Sequence, residues 1–239
     1  MKQAIDLYED GIGTVEYVQH MGEDITIVNS ARVSFGKHKE EMDEKDRKLI
    51  KYLIRHKHTS TLEHNLITFR FVVPLFVRSQ HHRHRTWSYN EISRRYTAEN
   101  IRFYEPESFR TQHKSNRQAS NADDLDNPIL FPDLSDSDFG VGASQVVKEH
   151  HQKSVELYNL LMANGVCREQ ARGVLPQNMY TEYYGTVNLS NLLKFIDLRT
   201  HAGAQWEIQK VAEACLEIAT DLYPETVGAY RAIRERENK

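Results

Sequence analysis

The densest concentration of hydrogen-bonding side chains in the chain is "RHRTWSYNEISRRY", residues 83–96, which holds five arginines or histidines, two serines, an asparagine and a glutamate in fourteen positions. Arginine offers a planar fork that grips phosphate oxygens two at a time, and serine hydroxyls with free backbone N–H groups complete an anion nest. Arg83 and Arg85 flank His84, and Ser93 stands two residues before Arg95, so the spacing leaves room for two adjacent anion subsites. The same charges would suit a solvated helix face or a lattice of surface ion pairs. Against that reading stand three interleaved aromatics, Trp87, Tyr89 and Tyr96, and the small polar residues Ser88, Asn90 and Ser93, which favour caps and turns.

Other reactive side chains are less concentrated. His81, His82 and His84 invite a metal reading, but adjacent histidines diverge on a helix and no acidic partner stands where an HExxH helix requires one, so no metal site is expected. His150 and His151 fall on the polar side of a long helix and read as solvated. Tyr180, Tyr183 and Tyr184 read as core or interface residues, and Trp206 and Ile208 as packing residues. Cys167 and Cys215 lie on helical patterns and read as small core residues. With no CxxC and no close pairing they imply neither a disulfide framework nor a zinc ribbon, and they suit a reducing compartment.

These residues need a scaffold, and 239 residues fit a single domain spanning 1–239. Lysine plus arginine number 31 against 34 acids, for a net charge of -3, so no global attraction to nucleic acid exists and any anion site is local. A nucleic-acid-binding module that uses the basic segment with its aromatics is the main competitor from another class. Mean hydropathy is -0.65, which suits a hydrated insertion or an extensive wet site. No apolar run approaches the roughly 20 residues of a membrane span, and the first residues carry acids where a secretory signal needs an apolar core. A cytoplasmic protein is expected.

Periodicity supplies the elements. "QAIDLYE" and "TVEYVQHM" flank the turn "DGIG" as a strand pair, and Glu40 to His56 carries a helical stripe of Leu49, Ile50, Leu53 and Ile54. "LITFRFVV" alternates, with Ile67, Phe69, Phe71 and Val73 on one face. Pro74 suits the first turn of a helix that continues through "PLFVRSQHHRHR" and carries the basic cluster at its far end. Residues 110–145, stocked with Ser, Asn and Asp, read as a long surface insertion without sustained period. Beyond it come a helix over "VVKEHHQKSVELYNLLMANG" capped at Gly165, a short helix around "CREQARGVL" and a strand "MYTEYYGTV". The helices "LSNLLKFIDLR" and "AQWEIQKVAEACLEIATDL" and a short one after Pro224 complete the chain. Strands and helices mix without a regular βαβ repeat or a GxGxxG turn, so the expected fold class is α+β.

The segment at 83–96 fills every fixed position of RHRxxSxNExSxRY, the signature of the flavin-dependent thymidylate synthases, the ThyX family. "ARVSF" (31–35), "HTSTLEH" (58–64), "ARGVLPQNMYTEYYGTVN" (171–188) and "LRTHAGAQWEI" (198–208) resemble family segments in the same order. The resemblance implies a ThyX-like domain with a mainly antiparallel sheet flanked by helices, assembled as a homotetramer with active sites at subunit interfaces and no nucleic-acid or membrane partner. It implies FAD as cofactor, dUMP as substrate, and NADPH and methylenetetrahydrofolate as co-substrates. NADPH reduces the flavin, the folate supplies a one-carbon unit to carbon 5 of the uracil, and the reduced flavin delivers the hydride that completes the methyl group of dTMP, releasing tetrahydrofolate. The resemblance assigns Ser60, Arg83, His84, Arg85, Glu91 and Asn188 to the cofactor. It assigns Gln80, Arg83, Glu91, Ser93, Arg95, Arg172 and Arg199 to the nucleotide, with Arg199 polarising the pyrimidine as the catalytic residue; His58 and Ser34 are accessory positions.

Three positions depart from the pattern: Ser190 and Lys194 stand where many members place an arginine and a further flavin contact, and Gly203 stands where some have a histidine. Neither cysteine nor Ser93 is expected to attack the nucleotide. Buried thiols make poor thiolates, and the neighbours of Ser93 include two arginines that bind anions rather than accept protons.

Overall fold

The computed structural model describes residues 4–97, 99–117, 119–131 and 140–237. Its elements follow one another as β1 (Ala4–Asp6), β2 (Thr14–Met21), α1 (Asp24–Arg32), α2 (Glu44–Arg55), β3 (Leu66–Pro74), α3 (Leu75–His81), β4 (Ser88–Glu91), β5 (Phe109–Gln112), β6 (Ser120–Asp126), β7 (Ile129–Leu130), β8 (Val141–Gly142), α4 (Ala143–Ala163), α5 (Arg168–Ala171), β9 (Tyr180–Asn188), α6 (Leu189–Arg199), α7 (Trp206–Leu222) and α8 (Pro224–Glu237). The main sheet has the order β1-β2-β3-β9-β4 with every pairing antiparallel, which is the expected α+β class.

The alternation in β3 gives the sheet two unlike faces. Ile67, Phe69, Phe71 and Val73 are fully buried and join Leu192, Phe195 and Ile196 of α6 and Ile208, Val211 and Cys215 of α7 in one core. Each such side chain contributes about 2 kcal/mol by leaving water, and Phe69→Ala would cost about 3–5 kcal/mol. On the other face Arg70 ties three strands together, bonding Glu16 of β2 and Glu182 of β9 at 2.7 Å each. A small cluster of Val72, Tyr104 and Tyr180 covers part of that face. No helix among the described residues is long and apolar enough to cross a membrane.

Several local expectations need correction. Helix α1 was not legible: only Ile27 and Val28 give it a fully buried apolar face, and it is docked through Asp24. The Asp24 carboxylate accepts from the backbone N–H groups of Glu225 (2.9 Å) and Thr226 (3.0 Å), so it caps the start of α8 from a distance in sequence. Helix α2 starts at Glu44 rather than Glu40, because the Asp43 side chain accepts from the N–H groups of Lys45 and Asp46 and sets the boundary. The stretch 110–145 is not irregular: β5 pairs with β6 and β7 with β8, and α4 already begins at Ala143. Residues 132–139 of that stretch lie outside the described residues.

His151 is not solvated. It is buried, stacks on Phe103 with ring centroids 4.4 Å apart, and its Nδ1 lies 2.7 Å from Glu105 Oε1. Cys167 is not a core residue either, since it stands exposed just before α5, whereas Cys215 is fully buried as expected.

Candidate active site

The donor-rich segment does not extend a helix. Pro74 ends β3 and precedes α3, and α3 stops at His81 because the backbone turns back on itself, with Arg83 N–H donating to Gln80 C=O (3.3 Å) and His84 N–H to His81 C=O (2.9 Å). Arg83, His84 and Arg85 therefore sit in turns beyond the helix. Trp87 anchors the far side of this turn in the core, among Phe69, Phe71 and Phe195. Strand β4 then pairs with β9, Tyr89 lying opposite Gly185. A Cβ at Gly185 would meet Phe71 at 2.9 Å and Trp87 at 3.2 Å, so only glycine allows this approach.

Above the turn, Arg199 at the end of α6 reaches the signature. Its Nε donates to His84 Nε2 (3.0 Å) and its Nη2 to the Gln80 carbonyl (3.3 Å). Burial first and the Arg199 charge second push the His84 imidazole down to about 4, so it is neutral near pH 7 and accepts from the guanidinium. Burial also lowers the pKa of Arg199 from its usual range. Beneath them His81 is wholly buried and held well below the usual histidine range by desolvation, with Nδ1 at 2.7 Å from the Tyr183 hydroxyl. Arg83 and Arg85 are exposed and have no carboxylate within ion-pair distance among the described residues. The ring centroids of His82 and His84 lie 6.5 and 6.4 Å from that of His81. Among the described residues no group of three or more His, Cys, Asp or Glu is placed to hold a metal.

A second group of expected residues gathers elsewhere. Glu91, Ser93, Arg95 and Arg172 line one cavity of about 600 Å³ together with Arg78 and Arg94. The Ser93 hydroxyl accepts from Arg95 N–H (3.3 Å), and Arg95 Nη1 lies 4.0 Å from exposed Glu169. Arg172 is exposed without a carboxylate partner among the described residues. Glu91 is partly committed within the protein, because its Oε1 accepts from Arg78 Nε (3.1 Å) and the Thr181 hydroxyl (2.7 Å). Arg78 was missed in the sequence; its position two residues before Gln80 carried no signal of a partner on β4. Gln80, Arg83 and Arg199 do not line this cavity.

The third group frames a cavity of about 290 Å³ between α2, α6 and α8, lined by His58, Thr59, Ser190, Lys194 and Tyr230 among others. Lys57, just before His58, holds φ +57°, a sparsely populated backbone state for a non-glycine residue. The Ser190 hydroxyl is buried with no hydrogen-bond partner among the described residues. Ser60 is exposed in the short helical turn Thr59–Leu62, and the Asn188 side chain caps α6 by accepting from Asn191 N–H (2.9 Å). Ser34 is exposed between Val33 and Phe35, which are exposed as well. Gly203 N–H donates to His201 Nδ1 (3.0 Å), closing the turn before α7.

The family model "Thymidylate synthase complementing protein" matches residues 16–225. The flavin-dependent thymidylate synthase of Thermus thermophilus is 42% identical over 218 residues, which cover 91% of this chain and 75% of that protein. That of Kosmotoga olearia is 39% identical, with 91% and 90% covered. Among solved structures, a UMP/dUMP methylase, PolB from Streptomyces cacaoi bound with 5-Br dUMP, superposes with a TM-score of 0.77 at 32% identity, covering 95% of this chain and 97% of that one. With the signature segment seated beside Arg199 and the family model spanning most of the sequence, the chain belongs to the flavin-dependent thymidylate synthases.

Proposed function

We propose that this chain, acting as one catalytic domain over 1–239, converts dUMP to dTMP by reductive methylation, with methylenetetrahydrofolate as one-carbon donor and NADPH as the source of reducing equivalents. The observation that carries the reading is the Arg199–His84–Gln80 contact, which holds a fixed, half-buried cation beside exposed signature arginines. A cation so placed stabilises negative charge that develops on a pyrimidine when carbon 5 becomes nucleophilic. Neutral His84 orients the guanidinium without adding competing positive charge. Ser93, Arg95 and Arg172 hold the nucleotide phosphate through bidentate and hydroxyl contacts.

The residues present fit a flavin. Arg83 and Arg85, which have no carboxylate partner among the described residues, are donors suited to a pyrophosphate, and the Ser190 hydroxyl, without a hydrogen-bond partner among those residues, offers with Lys194 a donor and a cation on the wall that also carries His58. We assign Arg83, His84, Arg85, Ser60 and Asn188 to holding FAD, with Ser190 and Lys194 in the positions where the chain departs from its family. Bound and reduced, the flavin supplies the hydride that completes the methyl group.

A homotetramer with shared sites is part of the same proposal. Support comes from the division of the expected nucleotide residues, Ser93, Arg95 and Arg172 on one cavity and Gln80, Arg83 and Arg199 outside it, which suits completion by a neighbouring copy. The exposed Val33, Phe35, Ile92, Tyr96 and Leu160 offer apolar surface for contact. Free Cys167 and Cys215 suit a reducing, cytoplasmic setting. The test is release of tritium from dUMP labelled at carbon 5. Release that requires FAD, NADPH and methylenetetrahydrofolate together supports the reading, and none with all three present refutes it. Running UMP as an alternative substrate shows whether the chain shares the range named for the Streptomyces methylase.

A further inference from the structure

Gln80 ends a hydrogen-bonded chain that runs back to a buried carboxylate. Its Nε2 donates to Gln205 Oε1, and Gln205 Nε2 donates to Glu207 Oε2 at 2.9 Å. Glu207 Oε1 accepts from Arg110 Nη2 (2.6 Å) and from the Tyr104 hydroxyl (3.2 Å). The carboxylate sits in the first turn of α7 and is 3% exposed. Arg110, from β5, is itself pinned over the Trp206 ring at 5.3 Å, so this pairing ties the root of the 110–145 insertion to the site.

The direction of this chain is dictated from its buried end. A carboxylate paired with arginine can only accept. Gln205 must therefore turn its NH₂ group to Glu207 and its oxygen to Gln80. Gln80 must answer with an N–H, which leaves its own carbonyl oxygen and one N–H for a ligand. A glutamine without such an anchor turns over at little cost and offers either order of donor and acceptor. Uracil presents an N3–H donor beside the C4 carbonyl, whereas cytosine presents an N3 acceptor beside an exocyclic amine donor. With the base held in one seating, a locked amide matches only one of these edges: an oxygen facing N3 accepts from uracil N3–H but meets the lone pair of cytosine N3.

We propose that Glu207, acting through Gln205, fixes the amide of Gln80 with its oxygen towards N3 of the bound base, and so selects a uracil nucleotide over a cytosine nucleotide. Glu207 and Gln205 are positioning residues, and neither has to touch the substrate. The inference rests on the reading that Gln80 contacts dUMP. It follows the general rule that a site built to bond a particular N–H rejects an analogue lacking it, because the buried polar group is left unpaired.

The experiment is calorimetric titration of the flavin-loaded protein with dUMP and with dCMP, for the wild type and for Gln205→Met, Glu207→Gln, Gln80→Ala and the Gln80→Ala/Gln205→Met double variant. Gln205→Met should bind dUMP roughly tenfold more weakly and narrow the preference for dUMP over dCMP by a similar factor, the size expected for losing one hydrogen bond to a buried polar group. Added to Gln80→Ala, it should change dUMP affinity by less than about twofold, because its effect passes through Gln80. Glu207→Gln, whose amide can donate or accept, should narrow the preference in the same way. If that variant melts early, Gln205→Met decides alone, since Gln205 is only partly buried. An unchanged dUMP-to-dCMP ratio in Gln205→Met, or additive losses in the double variant, would overturn the relay while leaving the functional reading standing. A wild type that binds neither nucleotide would instead remove the functional reading, and the relay with it.

Discussion

Replacing Arg199 by alanine removes a cation and two hydrogen bonds at once, and its neighbours allow the consequences to be separated. The bonds to His84 Nε2 and the Gln80 carbonyl are worth about 1–3 kcal/mol together to folding, while loss of a fixed cation at a developing anion costs about 2–4 kcal/mol of transition-state stabilisation. Turnover should therefore fall roughly 30- to 1000-fold with FAD still bound. The third consequence is electrostatic. Burial first and Arg199 second hold His84 down to about 4, so the variant, which removes the charge and uncovers part of the ring, should move it back towards 6.5.

In the wild type the folded ring resists a proton that the unfolded chain takes up near pH 6.5. The stability this ring contributes is complete above that pH and is lost as pH falls towards 4. For a fully buried ring the gap would correspond to about 3 kcal/mol, which solvent around half-exposed His84 screens to about 1 kcal/mol. In Arg199→Ala the acid-sensitive window should shrink from its lower end. NMR titration of the histidine ring protons in both proteins, alongside flavin absorbance and steady-state turnover, measures all three effects. A His84 titration unchanged by the substitution, or turnover within twofold of wild type, would refute the reasoning.

Arg110→Ala strands the Glu207 carboxylate at 3% exposure with only neutral partners, and thermal denaturation should show a loss of about 2–4 kcal/mol. Cys167→Ser should leave activity and stability unchanged because the thiol is exposed, whereas Cys215→Ser places a hydroxyl in a fully buried apolar site and should cost about 1–3 kcal/mol by the same measurement. Burial raises the Cys215 thiol far above its usual range, so mass spectrometry after incubation with dUMP should find no covalent adduct at Cys215. Ser93→Ala should mainly raise the KM for dUMP while leaving measurable turnover, as steady-state kinetics would show, and a collapse of kcat at unchanged KM would contradict its place at the phosphate.

Local pattern determined much of this protein. The alternation of Ile67, Phe69, Phe71 and Val73 fixed the buried face of β3, because a pleated strand turns successive side chains to opposite sides. The apolar stripe of α7 likewise faces the core at the positions its period gives. The fourteen-residue signature disclosed the family because so many fixed positions leave little room for coincidence.

What only the tertiary structure decided is where polar groups find partners across long sequence distances. Helix α1 is held by Asp24 capping a helix some two hundred residues later, His151 is buried by Phe103 and Glu105, and β4 exists because β9 offers it a bare glycine to lie against. The direction of Gln80 depends on Arg110 and Glu207, which no periodicity connects. Apolar burial follows local periods, since a side chain needs only a face to be hidden, whereas a hydrogen bond needs a particular atom in a particular direction, and that atom is supplied by the completed fold.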